Sequence, residues 1–573
     1  MIRRVAVLIA VLAGASSAGA GELVLFTRGV MTDIRETDGP GTGRVVKKID
    51  LLALRGEFES FSLGVRSSEA GRWKVGVSDL KSSEGGGRVI PASAVEVARL
   101  RYGKTAGRGH KVTDWVVEPG LKELELRPGR TARVWLTVHV PEEAAGGIYA
   151  GSLSLSGPDG AESKVPVSVE VLPAKLEPVP GASFCLLFTH AFGQYHNAKS
   201  RKERRPQALK FYRELKDHGM TCIAPHCSDW SGGRLKSTGS GYNPGHFEGL
   251  EACIDAAMEV GLDGPVVWYM SSLVTGTKGG KHFHYYDGKC DNWNEKRDLA
   301  NLRELVKEVK RREKEKGWPE VVFVTVDEPG TMTDDLAMRR LRLGTILTKT
   351  LKTVSELGAR GGTTMSEPVD DKHNRWRCKE PDELRKLWDE SRPYCHFRIY
   401  GYGYCQGKTS LAAEKADCEK RGHKMWFYNN SASMGKNRWC ARMYFGLWGW
   451  RAGADGVTSW TYPAGRTVQM EAIREGTDDW KYVALIEKLL KEKRGSEADR
   501  TEAGKFLEDL RDSVKLDRNG FIGDWENVAT AGIGKVSATK LGTDWDAVDF
   551  TAFRRAAGSL IKKLSAGNAP LLR

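Results

Sequence analysis

The chain has 573 residues, and its 88 Lys and Arg against 74 Asp and Glu give a formal net charge of +14. A hydrophobic fraction of 40% is ordinary for a globular protein, so the composition argues against intrinsic disorder. Beyond the N-terminus no apolar run approaches the roughly 18 residues of a membrane-spanning helix, so no membrane span is predicted. At roughly 150 residues per domain, the length predicts about three to four units, or fewer if one is a barrel of about 250 residues.

The first twenty residues have the order of a secretory signal peptide. Arg3 and Arg4 form the positive start, residues 5–14 are apolar, and Ala18-Gly19-Ala20 has the small-residue pattern of a cleavage site. The sequence therefore predicts that residues 1–20 are removed and that the protein is exported to the periplasm or the cell exterior. A buried N-terminal helix is the alternative.

Cysteines and basic residues both have structural interpretations. Exported proteins often form disulfides, and the pairing of the ten cysteines cannot be read from sequence. Cys185, Cys253 and Cys395 lie in apolar periodic segments and are interpreted as buried thiols.

The lysines and arginines of residues 307–316 alternate with glutamates on a predicted helix, which indicates a solvated helix face. No nucleic-acid partner is predicted, and the oligomeric state stays open.

Residues 21–175 have the pattern of an all-β unit. Runs rich in β-branched residues are separated by Gly and Pro turn signals, as in a β-sandwich. Prolines then punctuate residues 172–181 and predict a linker. The predicted strands are 44–54, 58–66, 133–140, 149–155 and 164–172.

From residue 181 to 495 short apolar runs alternate with amphipathic stretches. Eight strands each followed by a helix predict a (β/α)8 TIM-type barrel, with an open doubly wound sheet as the alternative. No G-x-G-x-x-G follows the first strand, so no dinucleotide cofactor, and no other cofactor, is predicted. Residues 496–573 predict a C-terminal helical extension. The predicted strands are 183–190, 221–226, 266–270, 321–326, 361–366, 394–400, 424–428 and 456–460, and the predicted helices are 206–217, 247–260, 297–316, 334–357, 382–390, 411–421, 438–452, 478–493, 502–512 and 553–564.

Barrels of this type form their active sites at the C-terminal strand ends. Aromatic faces at those ends pack against sugar rings, while amide and carboxylate groups bind hydroxyls. The sequence therefore predicts a carbohydrate substrate. The predicted substrate contacts are His190, Tyr269, Glu367, Tyr400, Tyr428, Asn429 and Trp460.

Asp327 and Glu328 end the predicted fourth strand and are the predicted catalytic pair. Two carboxylates in contact keep one of them protonated near neutral pH, as a leaving glycosidic oxygen requires. Capping of a helix before Pro329 is the alternative. In two-carboxylate glycosidases the two carboxyl groups are about 5–5.5 Å or about 6.5–9.5 Å apart, on opposite sides of the scissile bond. Two acids that are neighbours in sequence do not easily flank a sugar in that way. They fit the exception in which the 2-acetamido carbonyl of the substrate is the nucleophile.

Other residues receive less specific interpretations. The loop at about 271–295 is long enough to predict a lid or a sugar-stacking wall. His282 and His284 lie in it with Cys290 following, but no further ligands complete a site, so no metal is predicted. Arg442 lies on an aromatic-rich predicted helix and is interpreted as part of a buried ion pair. A neutral-sugar glycosidase and a non-catalytic carbohydrate-binding or cell-surface protein are the alternative functions.

Six stretches carry a resemblance to a known family: 55–61, 324–329, 426–430, 442–450, 456–460 and 473–482. Through them the chain resembles glycoside hydrolase family 123 over about residues 50 to 490. The resemblance implies an N-terminal β-sandwich before a catalytic barrel, and a retaining β-N-acetylgalactosaminidase that uses substrate assistance. It also implies that Glu328 is the general acid/base and that Asp327 orients the acetamido group. The final helix of that family has a charged start similar to residues 473–482.

Overall fold

The computed structural model describes thirteen stretches of the chain. They are residues 23–106, 111–187, 201–225, 245–270, 277–278, 281–282, 293–327, 337–365, 381–401, 411–434, 438–463, 465–514 and 550–566.

An N-terminal two-sheet unit comes first. Its strands are β1 (Leu23–Thr27), β2 (Arg44–Val45), β3 (Ile49–Arg55), β4 (Phe58–Ser67), β5 (Gly71–Val77), β6 (Leu80–Ser82), β7 (Val89–Ile90), β8 (Val95–Lys104), β9 (Thr113–Pro119), β10 (Glu123–Leu126), β11 (Thr131–His139), β12 (Gly147–Ser156) and β13 (Glu162–Lys175). One sheet has the order β2-β1-β4-β11-β8-β9, and the other has β10-β5-β12-β13-β3 with β6 and β7 beside β12. All pairs are antiparallel except β13 with β3.

Residues of both sheets share one buried core. Alternation along β13 buries Val165, Val167 and Val169 on one face, and these pack in the same cluster as Leu63 and Val65 of β4. This period-2 burial is the pattern of strands with one face on a core. The five predicted strands are all present, although the first is divided into β2 and β3. β13 also extends to Lys175, beyond the predicted linker start, because its register shifts between Val171 and Lys175 and accommodates Pro173.

A curled parallel sheet follows. Its strands are β14 (Ser183–Leu187), β15 (Val266–Tyr269), β18 (Val321–Val324), β19 (Arg360–Met365), β20 (Cys395–Gly401), β21 (Lys424–Tyr428) and β22 (Gly456–Trp460), and a separate ribbon joins β16 (Thr277–Lys278) to β17 (Lys281–His282). The order is β14-β22-β21-β20-β19-β18-β15, with all neighbours parallel.

The predicted second strand, 221–226, is not a regular strand over the residues that are described. Leu187 forms a single parallel bridge with Ala224, and the Val267 N–H donates to the Ile223 carbonyl at 3.0 Å. The segment therefore contacts both edge strands of the sheet. Pro225 has no N–H to donate, which is a physical reason why a regular ladder does not form here.

Helices pack around this sheet, and the last of them packs against the helix 468–491 and against β13 of the two-sheet unit. They are α1 (Arg201–Asp217), α2 (Gly245–Glu259), α3 (Glu295–Lys316), α4 (Ala337–Glu356), α5 (Pro381–Ser391), α6 (Leu411–Arg421), α7 (Asn430–Met434), α8 (Arg438–Met443), α9 (Gly449–Arg451), α10 (Val468–Lys491), α11 (Glu497–Ser513) and α12 (Phe550–Ala566), with a π-helical segment over Tyr444–Trp448. None of the described helices combines the length and the apolar character of a membrane span.

The start of α10 differs from the prediction by ten residues. Thr467 caps the helix by accepting the Met470 N–H at 3.3 Å, so the helix begins at Val468 and not at Asp478. Gly476 lies inside the helix, where an added Cβ would clash with the Arg442 carbonyl. The glycine thus permits close approach of two helices, and the charged stretch 473–482 is the middle of a buried helix.

A buried charge network, which we call the Arg554 network, joins the two-sheet unit to α10 and α12. Arg554 of α12 donates to Asp479 of α10 and to Glu57 of the turn between β3 and β4. Arg442 of α8 donates to Asp479 through two nitrogens, at 2.6 and 2.8 Å, which confirms its interpretation as a buried ion pair. The Tyr482 hydroxyl donates to Glu57 at 2.8 Å. Burial raises the pKa of Glu57 to about 7, against the lowering effect of Arg554.

The three cysteines interpreted as core residues are buried. Cys185, Cys253 and Cys395 each have no exposed surface. Burial raises the pKa of Cys395 to about 12, so its thiol stays protonated at neutral pH.

Candidate active site

The concave face of the parallel sheet carries the inward side chains of successive strands. Along each strand alternate residues point inward, and the inward residues form a buried cluster separate from the core beneath the helices. Tyr269, Tyr428 and half-buried Trp460 are the aromatic members at the C-terminal strand ends. The inward cluster comprises Cys185, Leu187, Cys222, Ala224, Val267, Tyr269, Val322, Val324, Phe397, Ile399, Trp426 and Tyr428, with Trp460 packed against it.

Register places these aromatic residues at the C-terminal end of the sheet, with Tyr269 on the strand next to β18 and the other two on β21 and β22. Tyr269 pairs with Val324, the last residue of β18, and Tyr428 pairs with Thr458 on one side and Gly401 on the other. Trp460 ends β22 opposite Leu187 of β14. The structure therefore brings three of the predicted substrate contacts to one face and one end of the sheet.

Asp327 lies three residues beyond the end of β18 and is half-buried. The Thr364 hydroxyl of β19 donates to its Oδ1 atom. The neighbouring Thr363 hydroxyl donates to the Val326 carbonyl at 2.7 Å, and the Thr325 and Thr350 hydroxyls lie 2.8 Å apart. The three consecutive residues that end at Asp327 are thus each contacted by a threonine hydroxyl from β19 or α4.

Asn429 follows β21 and is buried. Its N–H donates to the Thr458 carbonyl at 3.1 Å, and its carbonyl accepts from the Ser459 hydroxyl. The Ser459 hydroxyl also accepts the Ser433 N–H at 3.0 Å at the end of this turn. These contacts fix the backbone of Asn429 between β21 and β22.

Tyr400 requires a correction. Its hydroxyl donates to Glu414 of α6, and its ring packs at right angles to Trp388 of α5 with centroids 6.3 Å apart. Phe397 and Ile399 of the same strand point inward, so the alternation directs Tyr400 outward. Tyr400 belongs to the helix-facing core and is not placed to contact a substrate on the concave face.

Three predicted site residues, His190, Glu328 and Glu367, lie outside the described residues, as do His284 and Cys290. Within the part of the chain that the structure describes, no group of three or more His, Cys, Asp and Glu side chains could hold a metal ion. Sequence reasoning missed the threonine hydroxyls around Asp327. The signal available was the adjacent pair Thr363-Thr364, two hydroxyl side chains in a short predicted strand that follows two glycines.

The comparisons bear on the fold. No family model matches the sequence, and no curated protein matches it. The structure is similar to a solved family 123 glycoside hydrolase from Clostridium perfringens that was studied for glycolipid glycan hydrolysis, with 12% identity, a TM-score of 0.64, and 95% of this chain and 99% of that chain covered.

Looser similarities are to a family 39 glycoside hydrolase from Bacteroides cellulosilyticus and to the xylanase 10B modules of Clostridium thermocellum. The first has 12% identity over 76% of this chain and 80% of that chain with a TM-score of 0.33. The second has 9% identity over 80% and 96% with a TM-score of 0.32. The likeness to the family 123 enzyme shows that this chain has a glycoside hydrolase-like fold.

Proposed function

We propose that the protein is an exported, retaining glycoside hydrolase that cleaves β-linked 2-acetamido sugars, with N-acetylgalactosaminides as the preferred substrates. The observation that carries this proposal is the position of Asp327 at a C-terminal strand end, next to the aromatic concave face. The similarity in fold to a family 123 enzyme studied for glycolipid glycan hydrolysis supports a glycan substrate. In this proposal the sheet closes into a (β/α)8 barrel behind an N-terminal β-sandwich, and residues 1–20 direct export.

The proposed reaction has two displacements at the anomeric carbon. The acetamido carbonyl oxygen of the substrate forms a bond to that carbon while the glycosidic bond breaks, and Glu328 gives its proton to the leaving oxygen. Asp327 accepts the acetamido N–H and offsets the positive charge of the oxazolinium intermediate. Water then attacks the anomeric carbon, Glu328 takes its proton, and the acetamido group is released. Two inversions retain the configuration.

Aromatic residues supply the binding surface in this proposal. Of Tyr269, Tyr428 and Trp460, half-buried Trp460 can offer a flat apolar face to the C–H face of a pyranose. Tyr428 is 7% exposed and contributes only a small patch, while Tyr269 has no exposed surface and supports the floor of the site from beneath. Trp460 is more exposed and is the residue best placed to stack on a sugar.

The test compares aryl β-glycosides of N-acetylgalactosamine and of galactose, and follows the anomeric configuration of the product by NMR. We expect hydrolysis of the 2-acetamido substrate with retention. Glu328→Gln should lower kcat by roughly 10²–10⁴-fold, and Asp327→Asn by roughly 10²–10³-fold. Asp512→Asn, at an exposed position of α11, is the matched control.

Two results would contradict the proposal. Equal cleavage of both substrates would make the acetamido group irrelevant and indicate a neutral-sugar glycosidase. Binding without turnover that persists in both site variants would indicate a carbohydrate-binding protein.

A further inference from the structure

We propose that Thr364 is a positioning residue that holds the Asp327 carboxylate ionised and oriented toward the substrate. The inference rests on the proposed function for its role in catalysis, but the contact itself is independent of it. Thr364 is buried on β19, and its hydroxyl donates to Oδ1 of Asp327 across 37 residues of sequence.

The end of β18 needs external support. The ladder with β19 includes Val322, Phe323 and Val324, so the next three residues lie beyond regular pairing with it. Thr363 then contacts the Val326 carbonyl at 2.7 Å, and Thr364 contacts the Asp327 side chain. Thr363 therefore holds the backbone at Val326, and Thr364 holds the carboxylate of Asp327.

A hydroxyl that donates to a carboxylate has two effects. It stabilises the ionised form over the protonated form, and it restricts rotation of the carboxyl group. A residue that must accept an acetamido N–H and offset positive charge needs both effects, since a protonated or rotated carboxyl would do neither. Thr364 provides this without contact to the reacting atoms.

The sharpest variants are Thr364→Val, which removes the hydroxyl at nearly the same volume, and Thr364→Ser, which restores it. Thr363→Val is the matched control, because Thr363 is also buried in β19 but contacts a backbone carbonyl. Thermal unfolding of all three variants reports how much each substitution costs the fold.

One readout does not depend on activity. In protein labelled with ¹³C at the aspartate carboxyl carbon, the Asp327 signal is identified by its loss in Asp327→Asn and then titrated. We expect Thr364→Val to raise the titration midpoint by roughly one pH unit, which is about tenfold in the proton affinity. Thr364→Ser should titrate like the parent protein, and Thr363→Val should lose stability without a change in the midpoint.

Kinetics supply the second readout. On the 2-acetamido substrate, the acidic limb of the kcat/KM profile should move to higher pH in Thr364→Val by the same amount and return in Thr364→Ser. An unchanged midpoint in Thr364→Val, or an equal change in Thr363→Val, would overturn the inference. A shifted midpoint in a protein that hydrolyses no 2-acetamido glycoside would support the positioning of Asp327 and contradict only the proposed function.

Discussion

The substitution Arg554→Ala tests how strongly buried ion pairs attach the C-terminal helix α12 to the rest of the protein. The Arg554 side chain is 7% exposed, and besides the bonds to Glu57 and Asp479 it donates to the Glu475 carbonyl at 3.0 Å. Arg554→Ala leaves Glu57 without its cation, while Asp479 keeps both bonds from Arg442. Removing one partner of a buried pair costs about 3–5 kcal/mol.

The surroundings place the expected cost at the lower end of this range. Arg554 lines a cavity of about 800 Å³ together with Glu59, Arg442 and Glu475, so the space left by Arg554→Ala adjoins this cavity and can admit water toward Glu57. A cost of about 3 kcal/mol raises the opening equilibrium of α12 by roughly a hundredfold. The rate of amide hydrogen exchange over residues 550–566 should rise by that factor, because amide exchange directly reports the local unfolding of a helix.

The effect should depend on pH in a defined direction. Burial raises the pKa of Glu57 to about 7 and that of Glu59 well above its usual range. A carboxyl whose pKa is raised on folding contributes stability at low pH that is lost as pH rises through the folded value. Below about pH 7 Glu57 takes up a proton and needs the arginine less, and the raised pKa of Glu59 acts in the same direction. Arg554→Ala should therefore be less damaging at pH 5.5 than at pH 8, after correction for intrinsic exchange.

The control is Arg555→Ala, one residue along the same helix at an exposed position. It removes a positive charge and an arginine side chain but none of the buried bonds. Equal exchange over residues 550–566 in the two variants, or a larger effect of Arg554→Ala at pH 5.5, would refute the idea that the Arg554 network anchors α12.

Two further predictions concern packing and acid stability. Gly476→Ala should destabilise the protein by about 1–3 kcal/mol in chemical denaturation, because its Cβ clashes with the Arg442 carbonyl. At Gly504 of α11 an added Cβ has nothing within 4 Å, so Gly504→Ala should stabilise the protein by about 0.5–1 kcal/mol. A similar loss of stability in both variants would contradict the packing argument. Burial lowers the pKa of His423 to about 4, so its contribution to stability is present above about pH 6.5 and is lost as pH falls toward 4. His423→Gln should therefore flatten the pH dependence of the unfolding midpoint in that window, and an unchanged slope would exclude this role.

The strands of the parallel sheet could be located from the sequence, but their faces could not. The predictions at 424–428 and 456–460 coincide with β21 and β22, because strands covered on both sides read as continuous apolar runs. The same continuity hides which residues point inward. Tyr428 and Tyr400 both lie at or near a strand end, yet Tyr428 faces the concave side and Tyr400 faces α6. Only the register across the sheet distinguishes them.

The Arg554 network brings together residues from three of the stretches that carry the resemblance. Residues 55–61, 442–450 and 473–482 are distant in sequence, but Glu57, Arg442 and Asp479 from these stretches meet in one buried cluster that also holds Arg554. Burying several charges together is tolerated only when their partners are all present, so the side chains of this cluster depend on one another. The contact between the two-sheet unit and the helices therefore accounts for the charged residues of these three stretches. The substrate must be argued from Asp327 and its surroundings, where Thr364 comes from another strand and could not be paired with it from sequence alone.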